Sequence, residues 1–401
     1  MMQTRVFITG SGIISAIGQN VDETLSSLRA CRTGIRKIKH LQTVHRDEFV
    51  AGEIDLSLDE LMHKLGVYSE SYTRGSLLGM IAAREAVTSA GLKDINEART
   101  GLISSTSVAG MTRTERYYKE LFENTKHLGC IDTHDCGDST LHIAADLGIT
   151  CFITTISTAC SSAANAIMLG ARMIKSGKLD RVVVGGTDAL SKFTLNGFHT
   201  LMILDREWCS PFDDQRRGLN LGEGAAYLVL ESEAEVKRSG KPVLAELRGY
   251  GNANDAFHQT ASSPEGFGAT LAIRKALAVA AMEPSEVDYI NAHGTGTPNN
   301  DLSEGTALIK VFGDRAPLFS STKAYTGHTL APAAGIEAVI SLLSLKHNVV
   351  FPNLNYQNPM KEFSLVPVTG LLEGVKLDTI LSNSFGFGGN CSSLIFSKAS
   401  A

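Results

Sequence analysis

Apolar residues recur along the chain with two alternating periods. Short, almost wholly apolar runs at residues 6–9, 101–105, 152–158, 181–184 and 227–230 predict strands, several of them buried on both faces as parallel strands are. Windows with helical spacing separate them. A second set of strands starts near residue 243 and continues at 287–291, 318–322, 379–383 and 392–396, with helices predicted over 268–280 and 333–347. This alternation predicts an α/β protein. The element order is alike in the two sets, so an internal duplication is expected, with halves 1–240 and 241–401 sharing one core. Gly10 and Gly12 break the first apolar run and predict a turn at its end.

Composition narrows the class. The chain has 401 residues and a net charge of −5, from 37 basic and 42 acidic side chains, which excludes a basic nucleic-acid binder. A folded chain of this size hides roughly 75% of the surface it exposes unfolded, so no disulfide scaffold is required. The seven cysteines are odd in number and follow no repeated short spacing, which predicts free thiols in a reducing compartment, by default the cytoplasm. No signal peptide is expected from the first 18 residues. The longest apolar stretch, 335–345, contains a glutamate and falls short of the roughly 20 residues that span a bilayer, so no membrane segment is expected.

Four segments concentrate chemistry at strand ends. Cys160 lies in Thr158-Ala159-Cys160-Ser161-Ser162, between an apolar strand and a run with helical spacing, where a helix dipole and backbone amides would lower a thiol's pKa. A small buried structural cysteine is the competing reading. His293 opens His293-Gly294-Thr295-Gly296-Thr297-Pro298 after another strand, with Asp301 and Glu304 close behind. Two glycines there admit a ligand chain and two threonines offer hydroxyls. His328 repeats the placement at the end of Lys323-Ala324-Tyr325-Thr326-Gly327-His328, where Lys323 could hold Glu304 or Glu337. Phe385-Gly386-Phe387-Gly388-Gly389 can aim an amide at a substrate oxygen and swing a ring across an entrance. A fifth cluster, Cys130, His134, Cys136 and His142, matches no standard zinc spacing, and no metal is expected. Gly10, Gly12 and Gly18 do not make a dinucleotide fingerprint.

With TACSSA, NAHGTGTP, KAYTGH and NSFGFGG in this order, the chain resembles a type II β-ketoacyl-acyl carrier protein synthase, a condensing enzyme of the thiolase superfamily. The resemblance covers nearly the whole chain. It implies a five-layered αβαβα fold of two related halves, the first carrying the nucleophile and the dimer interface, the second both histidines. Cys160 would hold the acyl group as a thioester, while His293 and His328 would assist decarboxylation of a malonyl unit. The amides of Cys160 and Phe387 would form an oxyanion hole, with Phe387 also the gate. Lys323 and Glu304 would set the electrostatics. Thr295 and Thr297 would bind the phosphopantetheine arm, with Val108, Phe385 and Gly388 also lining the substrate site. No bound cofactor is implied, because that arm arrives on the acyl carrier protein. The implied partners are this carrier protein and a second subunit, in a homodimer or heterodimer. Lys64, Arg206, Arg216 and Arg217 are candidates for carrier docking.

Departures from the family pattern are Ala324 after the lysine, Ala331-Pro332-Ala333-Ala334 after the second histidine, and Asn390-Cys391 after the glycine turn. The polar stretch 130–139, CIDTHDCGDS, replaces a mostly apolar family segment near the acyl pocket. An unpaired buried polar group costs about 1–3 kcal/mol, so a polar lining would disfavour a long saturated chain and favour a polyene or aryl-polyene acyl group. Solvent or a subunit interface could equally face that stretch. Two rival functions are weighed. A non-decarboxylating thiolase would need a second cysteine, for which Cys391 superficially serves, but the HGTGTP motif argues against it. A chain-length-factor subunit would lack the nucleophile that Cys160 supplies.

Overall fold

The computed structural model describes residues 4–399 apart from 122, 124, 314 and 315. Ten strands carry it. β1 (Val6–Ser15), β2 (Thr100–Ser105), β3 (Phe152–Ile156), β4 (Arg181–Asp188) and β5 (Gly224–Ser232) lie in the order β3-β2-β4-β5-β1. β6 (Ala245–Asn254), β7 (Tyr289–Asn291), β8 (Leu318–Ser320), β9 (Thr379–Gly386) and β10 (Asn390–Ser397) lie in the order β8-β7-β9-β10-β6. The two sets match strand for strand: in each, the second strand is parallel to both neighbours and the remaining pairings are antiparallel. They meet only where β1 pairs with β6, Phe7 opposite Glu246 and Ile8 opposite Ala245.

The helices used below are α1 (Arg74–Ser89), α2 (Met111–Tyr117), α3 (Gly137–Leu147), α4 (Ser162–Lys175), α5 (Lys192–Thr200), α6 (Phe267–Ala280), α7 (Pro298–Phe312) and α8 (Ala333–His347). α1 and α3 cover the outer face of the first sheet, α6 and α7 that of the second, and α4 and α8 fill the space between. This is the expected five-layered αβαβα arrangement. A helix between two sheets has no solvent side, and α8 is accordingly buried at every position from Ala333 to Leu345. No helix among the described residues is long and apolar enough to cross a membrane.

The turn expected at Gly10 and Gly12 does not form; β1 runs through both to Ser15. Their role is clearance. A Cβ on Gly10 would meet the Ala86 carbonyl oxygen of α1 at 2.2 Å, and one on Gly12 the Ala82 oxygen at 2.1 Å. β6 repeats the device beneath α6, with Gly249 2.4 Å from the Ala276 oxygen and Gly251 2.2 Å from that of Ala272.

Candidate active site

Cys160 follows β3 in a sharp turn and precedes α4. Ala159 there has φ 53°, a left-handed conformation unusual for alanine, and the Ser162 amide closes the turn on the Ala159 carbonyl at 3.0 Å. The turn after β9 presses on it so closely that a Cβ at Gly386 would lie 2.9 Å from the Cys160 nitrogen. The thiol is buried. Burial pushes its pKa up to about 12, while Lys323 and the amides of Phe387 and Cys160 itself pull the other way. The activation expected from the helix end is therefore overridden by desolvation, and Cys160 is a thiol at neutral pH.

His293 follows the end of β7, and His328 follows a helical turn, Lys323–Thr326, beyond β8; both are buried, with ring centroids 5.3 Å apart and planes at 85°. Phe385 lies against His293 at 5.8 Å. Lys323 donates to the His293 Nδ1 at 3.1 Å and to its carbonyl oxygen at 2.6 Å. An ammonium donor on Nδ1 leaves the ring proton on Nε2. Of the two carboxylates considered for Lys323, it pairs with Glu337, whose own pKa burial pushes up to about 7 against that pairing. Burial, and after it the Lys323 charge, hold both imidazoles well below their ordinary value; His328 adds to the effect on His293. Both rings are neutral at pH 7.

Two carboxylates of α7 hold the His293 loop. Glu304 accepts from the amides of His293 (2.9 Å) and Gly294 (2.8 Å) and from Asn383 (3.0 Å), and Asp301 accepts from Thr295 (3.0 Å), Gly296 and Phe212 (2.7 Å). Thr295 and Thr297 share a hydroxyl bond of 2.8 Å, and Thr297 also caps α7. Phe387 stacks on Phe198 of α5 at 5.6 Å and 18°. The exposed Gly388 is tied at the rim by its amide to the Gln259 carbonyl (2.7 Å), and Val108 donates its amide to Asp188 at 3.3 Å.

Family models decide what this arrangement belongs to. Residues 3–235 match the N-terminal domain of beta-ketoacyl synthase and residues 244–357 its C-terminal domain. The chain belongs to the beta-ketoacyl synthase family. It is a condensing enzyme of that family, 34% identical to the 3-oxoacyl-[acyl-carrier-protein] synthase 2 of Staphylococcus aureus (strain COL) over 99% of both chains. The Coxiella burnetii protein of the same name is 32% identical, again over 99% of each. Among solved structures, the ishigamide ketosynthase/chain length factor superposes with TM-score 0.91 at 30% identity, covering 99% of this chain and 100% of that one. The ketosynthase ApeO in complex with its chain length factor ApeC, from Xenorhabdus doucetiae, gives 0.85 at 31%, with coverage of 99% and 98%.

One expectation for this synthase, carrier docking by Arg216, needs correction. Arg216 is buried, 3.9 Å from Asp301 and bonded to the carbonyls of Asp213 and Pro298, so it offers no docking surface. Arg206, Arg217 and Lys64 are exposed, bound to Glu48, to Asp205 and Glu207, and to Gln19. Cys391 is buried in the outer core beside Gly268 of α6, and it is not among the groups that act on Cys160. Cys130, His134, Cys136 and His142 bring no three ligand atoms together; among the described residues only His45, Glu48 and His199 do so.

Asp188 was missed in the sequence. Burial pushes its pKa up to about 6, although it accepts from the Thr106 hydroxyl (2.6 Å) and the amides of Ser107 and Ala331 (3.0 Å each). It joins the loop after β2 to the segment after His328. The available signal was an acid placed directly after an apolar strand, in Gly185-Gly186-Thr187-Asp188.

Proposed function

We propose that this synthase joins an acyl group held on Cys160 to a malonyl unit carried by an acyl carrier protein. The Cys160 sulfur attacks the incoming thioester carbonyl, the pantetheine thiol departs, and the cysteine proton leaves with it. The malonyl thioester then loses carbon dioxide, its electron pair passes into an enolate, and that carbon attacks the acyl-cysteine. Cys160 is expelled as a thiolate and takes a proton from water. The observation that carries this reading is the neutral imidazole pair: with Lys323 on Nδ1 of His293, that ring presents an Nε2 donor to charge that appears only in the transition state. The amides of Cys160 and Phe387, which already act on the thiol, would serve the acyl oxyanion. Glu304 fixes the loop backbone, Thr295 and Thr297 line the arm's path, and Phe387 gates it. The chain needs no cofactor of its own, works in the cytoplasm, and divides its labour between residues 1–240 and 241–401.

The acyl group, on this reading, is an unsaturated or polyene chain, and the partner is a chain-length-factor-like subunit. Asp138 Oδ2, Ser139 Oγ and Ser107 Oγ are buried without a hydrogen-bond partner, on the segment 130–139 and the loop beside Val108. Thr133 links the two, its hydroxyl and carbonyl bonded to Gly110. Unpaired polar atoms disfavour a saturated hydrocarbon. Two solved relatives are named as ketosynthases with chain length factors. The test is intact mass spectrometry after incubation with a panel of acyl carrier protein thioesters. A Cys160-dependent adduct, followed by malonyl-dependent extension, supports the reaction. Saturated long chains loading as well as polyene chains would sink the substrate class alone.

A further inference from the structure

We propose that His45, Glu48 and His199 form a binding site for a divalent transition-metal ion of the zinc type, away from the candidate active site. The donor atoms of the three residues lie within 4.8 Å of one another. His45 and Glu48 come from one tight turn, closed by the Glu48 and Phe49 amides on the His45 carbonyl at 3.1 and 3.2 Å, which places both side chains on one face. His199 enters from the last turn of α5, its ring centroid 4.8 Å from that of His45.

The site is preformed on both sides. Arg46 pins the turn through the carbonyls of Ile38 (2.9 Å) and Lys39 (3.0 Å). Phe49 is buried against both imidazoles, at 5.9 Å from His45 and 5.2 Å from His199. Glu48 divides its oxygens: Oε2 lies 2.7 Å from His45 Nδ1, and Oε1 accepts from Arg206 at 2.9 Å. Metal–ligand distances near 2.0–2.2 Å separate neighbouring ligands by about 3 Å, so the His45–Glu48 pair needs little opening while Arg206 continues to orient the carboxylate. Two imidazoles and a carboxylate suit zinc, cobalt or nickel rather than calcium or magnesium, which prefer oxygen ligands.

An ion here would tie the turn at 44–48 to α5. His199 is next to Phe198, which stacks on Phe387, so binding would be felt at Phe387. Its bearing on the reaction rests on the reading of Phe387 as a gate; the ion site itself does not.

The test uses the full chain stripped of metal with a chelator, titrated with Zn2+ by calorimetry and with Co2+ by visible absorption. We expect one equivalent bound, an imidazole-type cobalt spectrum, and affinity weakened on the order of 100-fold in His199→Ala and in Glu48→Gln. The same binding should persist in Cys160→Ala and His293→Ala backgrounds. Circular dichroism establishes that each variant is folded, and His199→Gln stands in should His199→Ala fail to fold. Equal Zn2+ affinity in the wild type and the folded His199 variants overturns the proposal, as does loss of binding in the His293→Ala background.

Discussion

The two sheets match strand for strand yet carry opposite kinds of chemistry at corresponding strand ends. Beyond β3 the first half presents a buried thiol, and beyond β8, its counterpart, the second presents Lys323 and His328. Beyond β2 lies the Ser107–Val108 loop, and beyond β7 lies His293. The groups behind these loops differ as well. In the first half Asp188 gathers backbone amides and one hydroxyl. In the second, Glu304 and Asp301 gather amides, and an ammonium also reaches a ring nitrogen and fixes where its proton sits. A common scaffold thus supplies position, and the charges set behind each loop decide what that position can do.

The largest effect comes from removing the thiol to which the proposed reaction gives the acyl group. Cys160→Ala should lower condensation by about 10^4-fold or more, because the sulfur proposed to hold the acyl chain is then gone. Malonyl decarboxylation, which the proposed reaction assigns to second-half residues, should survive and be measurable as carbon dioxide release. Its loss together with condensation would break the division between the halves.

Next in size is Lys323→Met, which strips the second half of its buried cation. Glu337 then loses its charged partner and keeps the Ser384 hydroxyl at 3.3 Å, a change that costs about 3–5 kcal/mol. The carboxyl can escape part of that by taking a proton, since burial already pushes it up to about 7. Urea unfolding should therefore show a larger loss at pH 8 than at pH 6. Equal losses would mean that Glu337 is not the orphaned group.

The elements that sequence reading located best were those with one dominant signal. The helix predicted over 333–347 forms with those bounds, since a mostly apolar segment of 15 residues is too long for a strand of this fold. Strand ends were less legible: β4 continues past Val184 to Asp188 through two glycines that look like a turn. Tertiary contact decides there, because a Cβ on Gly186 would strike the Ser105 hydroxyl at 2.2 Å. Cys160, His293, His328 and Lys323 were all recognisable from local motifs. The lone Asp188 was not, because its partners at 106–108 and 331 are remote in sequence. The thiol's raised pKa was also hidden, since it depends on burial that only packing creates.

Asp188 of the first half and the two histidines of the second should also respond to pH with opposite signs. Asp188 is raised from 3.8 to about 6 in the folded chain, so its contribution is present below pH 4 and lost as pH rises to 6, about 3 kcal/mol in all. His293 and His328 are lowered from 6.5, so the unfolded chain binds more protons below that pH and stability falls as pH drops. Asp188→Asn should make stability rise more steeply with pH between 4 and 6 than in the wild type. His328→Gln should make it rise less steeply. Asp301, Glu304 and Glu337 share the sign of Asp188 and remain in both variants. Parallel curves from urea unfolding across this range would remove the contrast.

The smallest effect tests where the halves are alike. Gly12→Ala and Gly251→Ala each push a methyl against a helix carbonyl, at 2.1 Å in the first half and 2.2 Å in the second, with backbone on both sides of the clash. Neither strand nor helix can yield without disturbing the layer beneath, so each substitution should cost about 1–3 kcal/mol, and by similar amounts. Matched losses in melting experiments would mean that the outer helices are seated with equal rigidity. A clearly smaller loss for Gly251→Ala would show that α6 can shift away from β6, and the half that carries the histidines would then be the more yielding of the two.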